Sequence, residues 1–153
     1  MTHSRAYNDF AVLGMLRYNG RMNNEQLSKI FEKIADLLEI KGEVIYKTLA
    51  YRKAAESLWL MAEDVNKMQA EKRLQEIPGV GKAIAEKIDE LLTTGKLEFL
   101  EKLEEEVPPT VIEMLAVPDV GPKKAARFWK ELGITSLADL EMACRIHRVQ
   151  LLP

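Results

Sequence analysis

The chain has 153 residues, 47% hydrophobic and 30% charged, which suffices for one sizeable core or two small ones sharing an interface and is too apolar for a disordered segment. Lys and Arg number 22 against 24 Asp and Glu, a net charge of −2, so no long-range basic field announces a nucleic-acid partner; any anion would have to be held locally, by clustered lysines and backbone amides. The single cysteine, Cys144, excludes an internal disulfide framework and a cysteine-based zinc site and reads as a small hydrophobe near a helix end; the early apolar run Phe10 to Leu16 is too short to span a bilayer and no cleavage pattern comes after it, so a soluble, cytoplasmic protein with no membrane partner is expected.

Residues 1–21, with His3, Tyr7, Asn8, Tyr18 and Asn19 and a break at Gly20, read as a leader unlike the rest of the chain. Asn23 or Asn24 can cap a helix carrying Leu27, Ile30, Phe31, Ile34, Leu37 and Leu38 at helical spacing, closed by Gly42. A second helix is predicted from about Val44 to Ala62, with Ile45, Leu49, Ala54, Ala55, Leu58 and Met61 as its buried stripe. A short helix comes next near Lys67 to Glu76, then a break at Ile77-Pro78-Gly79-Val80-Gly81, then a helix from Lys82 to about Leu92 that ends at Thr93-Thr94-Gly95. Between Lys41 and Lys53 four cations (Lys41, Lys47, Arg52, Lys53) face one acid, Glu43. The next helix reverses that balance, with Glu98, Glu101, Glu104, Glu105 and Glu106 against Lys102 alone, and reads as a solvated face turned away from DNA. Pro108-Pro109 marks a joint. A helix from Thr110 to Ala116 meets Val117-Pro118-Asp119-Val120-Gly121; Pro122 opens the next, which ends at Leu132-Gly133, and Ser136 caps a last one from Leu137 to about Arg145. No alternating strand pattern appears, so the fold is expected to be all-α.

The informative feature is an internal repeat. Ile77-Pro-Gly-Val-Gly-Lys-Ala-Ile-Ala-Glu-Lys-Ile88 aligns without gaps on Val117-Pro-Asp-Val-Gly-Pro-Lys-Lys-Ala-Ala-Arg-Phe128. Glycines permit a tight turn between two helices and a close approach of backbone to a ligand. Val80 or Val120 can plug the space between the helices. The amides of Gly81, Lys82 and Ala83 then lie at a helix N-terminus, where a phosphate oxygen would satisfy them and meet the positive end of the helix dipole. No base edge is read, so the grip is expected to be independent of sequence. One such turn could be only a tight interhelical connection; two, each followed by a cationic helix, read as tandem helix–hairpin–helix units in small helical bundles.

With these residues in view, Met22 to Pro153 resembles the amino-terminal region of family X DNA polymerases of the bacterial, archaeal and polymerase β-like kinds. The most specific stretches are Ala50-Tyr-Arg-Lys-Ala-Ala55, the first hairpin through Glu90, Thr94-Gly-Lys-Leu97, Gly121-Pro-Lys-Lys124 and Leu132 to Leu140. The resemblance implies a lyase-type domain over residues 22–107 and a second hairpin subdomain over 108–153, which hold the two flanks of a gapped or nicked DNA carrying a 5′-phosphate. It makes Gly79, Gly81, Lys82 and Ala83, then Gly121, Lys123 and Lys124, DNA-binding residues. Lys47 and Tyr51, four apart on one helix face, match residues that hold the 5′-phosphate, and Lys96 matches a further basic position nearby. No cofactor is required for binding, but each hairpin is implied to seat K+ or Na+ on backbone carbonyls: Gln75, Ile77 and Val80, then Leu115, Val117 and Val120. Lys87 matches the lysine that forms a Schiff base with an abasic 5′-deoxyribose phosphate, giving lyase activity; its stem beside Ile84, Ile88 and Leu91, and Lys82 nearby, are expected to favour its neutral, nucleophilic form.

Departures from the family pattern matter. Ala83 and Phe99 stand where polymerase β-like members have lysines, which thins the phosphate pocket. Asp119 replaces the first glycine of the second hairpin, where its β-carbon strains the turn and its carboxylate either repels DNA phosphate or helps hold a cation. No carboxylate set with metal-binding spacing is present, so nucleotidyl transfer would need a palm domain beyond this sequence, and the chain is expected to be a piece of a longer polymerase or a short relative. Two other readings stay open: a helix–hairpin–helix module that binds DNA without catalysis, and a helical domain that binds another protein through its acidic face.

Overall fold

A computed structural model describes residues 21–152; the expected leader, residues 1–21, therefore lies almost wholly outside the described residues. Those described form eight α-helices and three short 3-10 turns with no strand, in the order α1 (Asn24–Lys41), α2 (Ile45–Leu60), α3 (Val65–Ala70), a turn at Leu74–Glu76, α4 (Lys82–Thr94), α5 (Glu98–Glu106), α6 (Pro109–Glu113), a turn at Met114–Ala116, α7 (Pro122–Leu132), α8 (Leu137–Arg145) and a turn at Arg148–Leu151. The all-α expectation is met.

Helix α1 starts on a full capping box. Asn23 Oδ1 accepts from Gln26 N at 2.8 Å, and Gln26 Oε1 accepts from Asn23 N at 2.9 Å. The neighbouring Asn24 reaches elsewhere. Its amide donates to the carbonyls of Met61 (3.3 Å) and Glu63 (2.8 Å), and its oxygen accepts from Val65 N (2.9 Å). One side chain thus ties the start of α1 to the turn between α2 and α3. Gly42, at φ 90°, ends α1 in the left-handed conformation that glycine adopts most easily.

Helices α1 and α2 pack antiparallel, with Ser28 Oγ donating to Ala55 O (2.7 Å), the Phe31 and Tyr51 rings 5.8 Å apart, and Arg52 bound to Asp36 and Glu39. The predicted stripe of α2 is half right. Ala54, Ala55 and Leu58 are buried, but Ile45 and Leu49 are 65% and 53% exposed, and the inward face is completed by Thr48, Tyr51 and Ser57. Burial follows the face set by the antiparallel pairing, and two β-hydroxyls that bond or pack inward take places that hydropathy assigns elsewhere.

The helix expected over Lys67 to Glu76 is two elements. Lys72 takes φ 57°, and Arg73 N donates to Met68 O at 2.8 Å, which ends α3 and restarts the chain as a 3-10 turn. The helix expected over Thr110 to Ala116 likewise divides into α6 and the turn at Met114–Ala116. The repeat therefore extends upstream: a 3-10 turn precedes each hairpin, forty residues apart.

The acidic helix α5 buries Leu100 and Leu103, and its glutamates are not all solvated. Glu104 pairs with Lys33, and Glu106 with Lys41 (2.5 Å), fastening α5 to α1. Helix α7 also packs on α1, with Lys130 Nζ donating to Lys41 O at 2.7 Å. One continuous core runs from Met22 and Phe31 through Ile88 and Leu103 to Met114, Phe128 and Ile134. No helix of the described residues is long and apolar enough to cross a membrane.

The α1–α2 pairing sets a contrast. Phe31→Ala, at a site with no exposure, is expected to lower unfolding free energy by about 3–5 kcal/mol. Leu49→Ala on the outer face of α2 should change it by less than about 0.5 kcal/mol. Urea denaturation of both variants measures the difference.

Candidate nucleic-acid interface

The two hairpins share one backbone path. Ile77 and Val117 are extended (φ −65°, ψ 126° and φ −73°, ψ 129°), and the second residue after each is left-handed, Gly79 at φ 80° and Asp119 at φ 65°. The next residue closes the turn, Val80 N donating to Ile77 O at 3.0 Å and Val120 N to Val117 O at 3.1 Å. Gly81 and Gly121 then cap α4 and α7 in extended conformation, and no side chain caps either helix. The first-turn amides of both helices are thus left for an external acceptor, at the positive end of the dipole.

Helix α2 backs the first turn. Ser57 Oγ donates to Pro78 O at 2.6 Å, and a β-carbon on Gly79 would come within 2.6 Å of Lys53 Cγ. Glycine is required at 79 for two reasons, a positive φ and the absence of room. Ser57 carried no signal in the sequence, and Lys53 stood out only as one of a group of cations.

Asp119 occupies the left-handed position with a β-carbon, in the strained conformation expected of it; Asp tolerates this region better than most residues. Lys124 Nζ donates to Asp119 O at 2.9 Å, so one of the two lysines assigned to phosphate here lies back on the turn. Of the carbonyls expected to hold a cation, those of Ile77 and Val117 each accept a turn hydrogen bond, with a second lone pair left on each oxygen.

The cations divide into two groups. Lys29, Lys33, Lys41, Lys47, Arg52, Lys53, Lys67, Arg73, Lys102, Arg127 and Arg145 are ion-paired with carboxylates. Lys72, Lys82, Lys87, Lys96, Lys123, Lys124, Lys130 and Arg148 have no carboxylate partner among the described residues; of these, Lys124 and Lys130 bond backbone carbonyls. Lys47 is the exception among the residues assigned to phosphate: it meets Glu43 at 3.1 Å, and its hydrogen bond holds the Glu43 carboxyl below the usual range.

Lys87 is half-buried on α4, where Ile84, Ile88 and Leu91 turn inward. Its Nζ stands 4.9 Å over the Phe99 ring, which stacks on Tyr51 at 5.8 Å and 13°, and Tyr51 in turn meets Phe31. Phe99 thus supplies a ring face to Lys87. Tyr51 is 8% exposed, and burial pushes its hydroxyl up to about 12. It is a core ring on the same helix face as exposed Lys47, one turn away. Lys96 is exposed just beyond Gly95. The structure therefore brings Lys87 and Tyr51 together through Phe99.

Comparison with known proteins agrees with this geometry. A family model described as a helix-hairpin-helix domain matches residues 22–97, and one described as a SAM-like helix-hairpin-helix tandem matches residues 111–153. The DNA polymerase/3'-5' exonuclease PolX of Bacillus subtilis (strain 168) is 33% identical over 129 residues, 84% of this chain and 22% of that protein. DNA polymerase lambda of Arabidopsis thaliana is 30% identical over 77% of this chain and 22% of its own length, and that of Rattus norvegicus 30% over 76% and 19%. The chain spans about a fifth of the length of these relatives. The chain is thus built of helix–hairpin–helix units in tandem and is homologous, over three-quarters or more of its own length, to the family X DNA polymerases PolX and polymerase lambda.

Proposed function

We propose that the chain binds DNA without regard to sequence at gaps or nicks that present a 5′-phosphate, and that within a repair polymerase this grip holds the substrate for a catalytic palm. The observation that carries this is the first hairpin: uncapped amides open α4 at Lys82, with Lys87 farther along the helix and Lys96 beyond its far end, and none of these lysines has a carboxylate partner among the described residues. Lys47 joins them by exchanging Glu43 for a phosphate. K+ or Na+ on the hairpin carbonyls would add positive charge where the strand approaches.

Lys87 is the residue for lyase chemistry. As a neutral amine it adds to the aldehyde carbon of a ring-opened 5′-terminal deoxyribose phosphate and loses water to form an imine. Loss of the C2′ proton to solvent expels the 3′-phosphate ester, and water then frees the lysine. Holding the sugar by its phosphate makes the attack effectively unimolecular. The contact with Phe99 favours a second reading: a ring face attracts a cationic lysine, which binds phosphate but does not attack an aldehyde.

Gapped duplexes with and without the 5′-phosphate test the binding. Three to five phosphate contacts imply a log–log salt slope of about −3 to −4 and tighter binding of the phosphorylated gap. Equal, salt-insensitive affinity for both would overturn the reading.

The turns give a second expectation. Gly79→Val should weaken binding by about 1–3 kcal/mol through backbone strain and the contact with Lys53. Asp119→Gly should tighten it by about 1 kcal/mol, the size of one like-charge contact at about 4 Å in water. If Asp119→Gly weakens binding only when K+ or Na+ is present, the carboxylate belongs to a cation seat.

Borohydride trapping on an incised abasic duplex decides the chemistry. A covalent band that is absent from Lys87→Ala, while DNA affinity largely persists, is the expected result. A band that survives in Lys87→Ala moves the chemistry to another lysine, Lys82 first, and tight binding with no band leaves a pure DNA-binding module.

A further inference from the structure

A cleft separates the second hairpin from the α1–α2 pair, and its lining includes Glu39, Arg52, Asp119, Lys123, Lys124 and Arg127. Four cationic side chains line it with two carboxylates; Arg52 and Arg127 are ion-paired, whereas Lys123 and Lys124 have no carboxylate partner among the described residues. Both walls are fixed to α1. On one side Arg52 Nη2 donates to Asp36 Oδ1 at 2.9 Å and to Glu39 Oε2 at 2.6 Å. On the other, α7 is held at the end of α1 by the hydrogen bond from Lys130 to Lys41 O.

The way Arg52 is held carries the inference. Both acids grip the same nitrogen, so Nε and Nη1 have no partner among the described residues, on a side chain that lines the cleft. A guanidinium anchored on one side and open on the other is preorganised to receive a phosphate, because little side-chain freedom is lost when the anion arrives. Lys123, with no carboxylate partner among the described residues, and the uncapped first turn of α7 lie across the same cleft. We propose that Arg52, from the first unit, is a phosphate ligand of the second hairpin, so that one backbone phosphodiester is held between the two units. This rests on the DNA-binding reading above and adds that the units share a strand instead of each holding its own.

Anisotropy titrations of the full chain test it with two DNAs: a gapped duplex, and a 5′-phosphorylated duplex end that offers only the strand held by the first hairpin. Asp36 is 2% exposed, so removing its cationic partner endangers folding. Arg52→Lys is therefore the first variant, with its melting temperature measured alongside; it keeps a cation for the acids but loses the open edge. It is expected to weaken the gapped duplex about tenfold, the loss of one charge-assisted hydrogen bond, and to leave the duplex end unchanged. Combined with Lys123→Ala it should weaken the gapped duplex by less than the product of the single effects. Equal losses on both DNAs, no loss, or independent effects of the two substitutions would overturn the proposal. Inorganic phosphate distinguishes the ligand's source: if it raises the melting temperature of the wild type but not of Arg52→Lys, while gapped-DNA affinity is the same in both, the seat takes free phosphate and the strand-sharing idea falls. A wild type that binds neither DNA overturns the DNA-binding reading itself, whereas one that binds both while Arg52→Lys is silent overturns this inference alone.

Discussion

At residue 79 the chain must take φ 80° while passing so close to α2 that a β-carbon would lie 2.6 Å from Lys53 Cγ. That contact, with the Ser57 hydrogen bond to Pro78 O, presses the back of the first turn against a long helix. The arrangement of the front is a consequence. With its back occupied, the turn can present only its amides outward, and Gly81, without a side chain, leaves the first turn of α4 uncovered. The anchor is itself secured by the α1–α2 pairing through Ser28, Tyr51 and Arg52. The hairpin is as firmly placed as the core beneath it, which an anion site built on backbone amides requires.

The second turn has the same dihedral pattern with a different support. Asp119 holds the left-handed position at some cost, and Lys124 bonds its carbonyl. Its helix is carried by α1 through Lys130. Two turns of one shape therefore differ in chemistry: the first has glycine at its left-handed position and is followed by Lys82, which has no acid partner among the described residues, while the second carries a carboxylate and shares its surroundings with Arg52 and Glu39.

The repeat, its helices and their ends were legible because they depend on local rules: an Asn cap, glycines at helix ends and proline at a first turn each act within a few residues. Lys72 was not legible, since a non-glycine residue at φ 57° leaves no mark in composition. Ile45 and Leu49 misled because hydropathy gives the face a helix prefers, whereas the pairing of Ser28 with Ala55 and Asp36 with Arg52 gives the face it is allowed. At the site, spacing placed Lys82, Lys87 and Lys96 on or beside one helix, but the partner of Lys87 comes from α5. Phe99 could be read only as a missing lysine; that its ring lies under Lys87 is a tertiary fact. Arg52 was visible as one of four cations in a short stretch, but its two acids lie 16 and 13 residues back, on the neighbouring helix and out of reach of any local pattern.

Net charge is a poor guide to this molecule because its charges are sorted. Many acids and bases neutralise one another, as in Lys33 with Glu104, Lys41 with Glu106 and Arg73 with Glu63, Glu71 and Glu76. Exposed pairs of this kind contribute little stability, but they cancel field. Among the described residues, the cations outside that cancellation include Lys82, Lys87, Lys96 and Lys123, as well as Lys72, Lys124, Lys130 and Arg148. At physiological salt a charge is felt over about 8 Å, so an approaching phosphate responds to the few charges and amides nearest it and not to the net charge of the chain. A protein with a net charge of −2 can thus present a locally cationic surface. The cost falls on association rate, because no long-range attraction steers DNA toward it; under the proposed function, what remains is selectivity for a phosphate that can enter a turn closely enough to reach the amides.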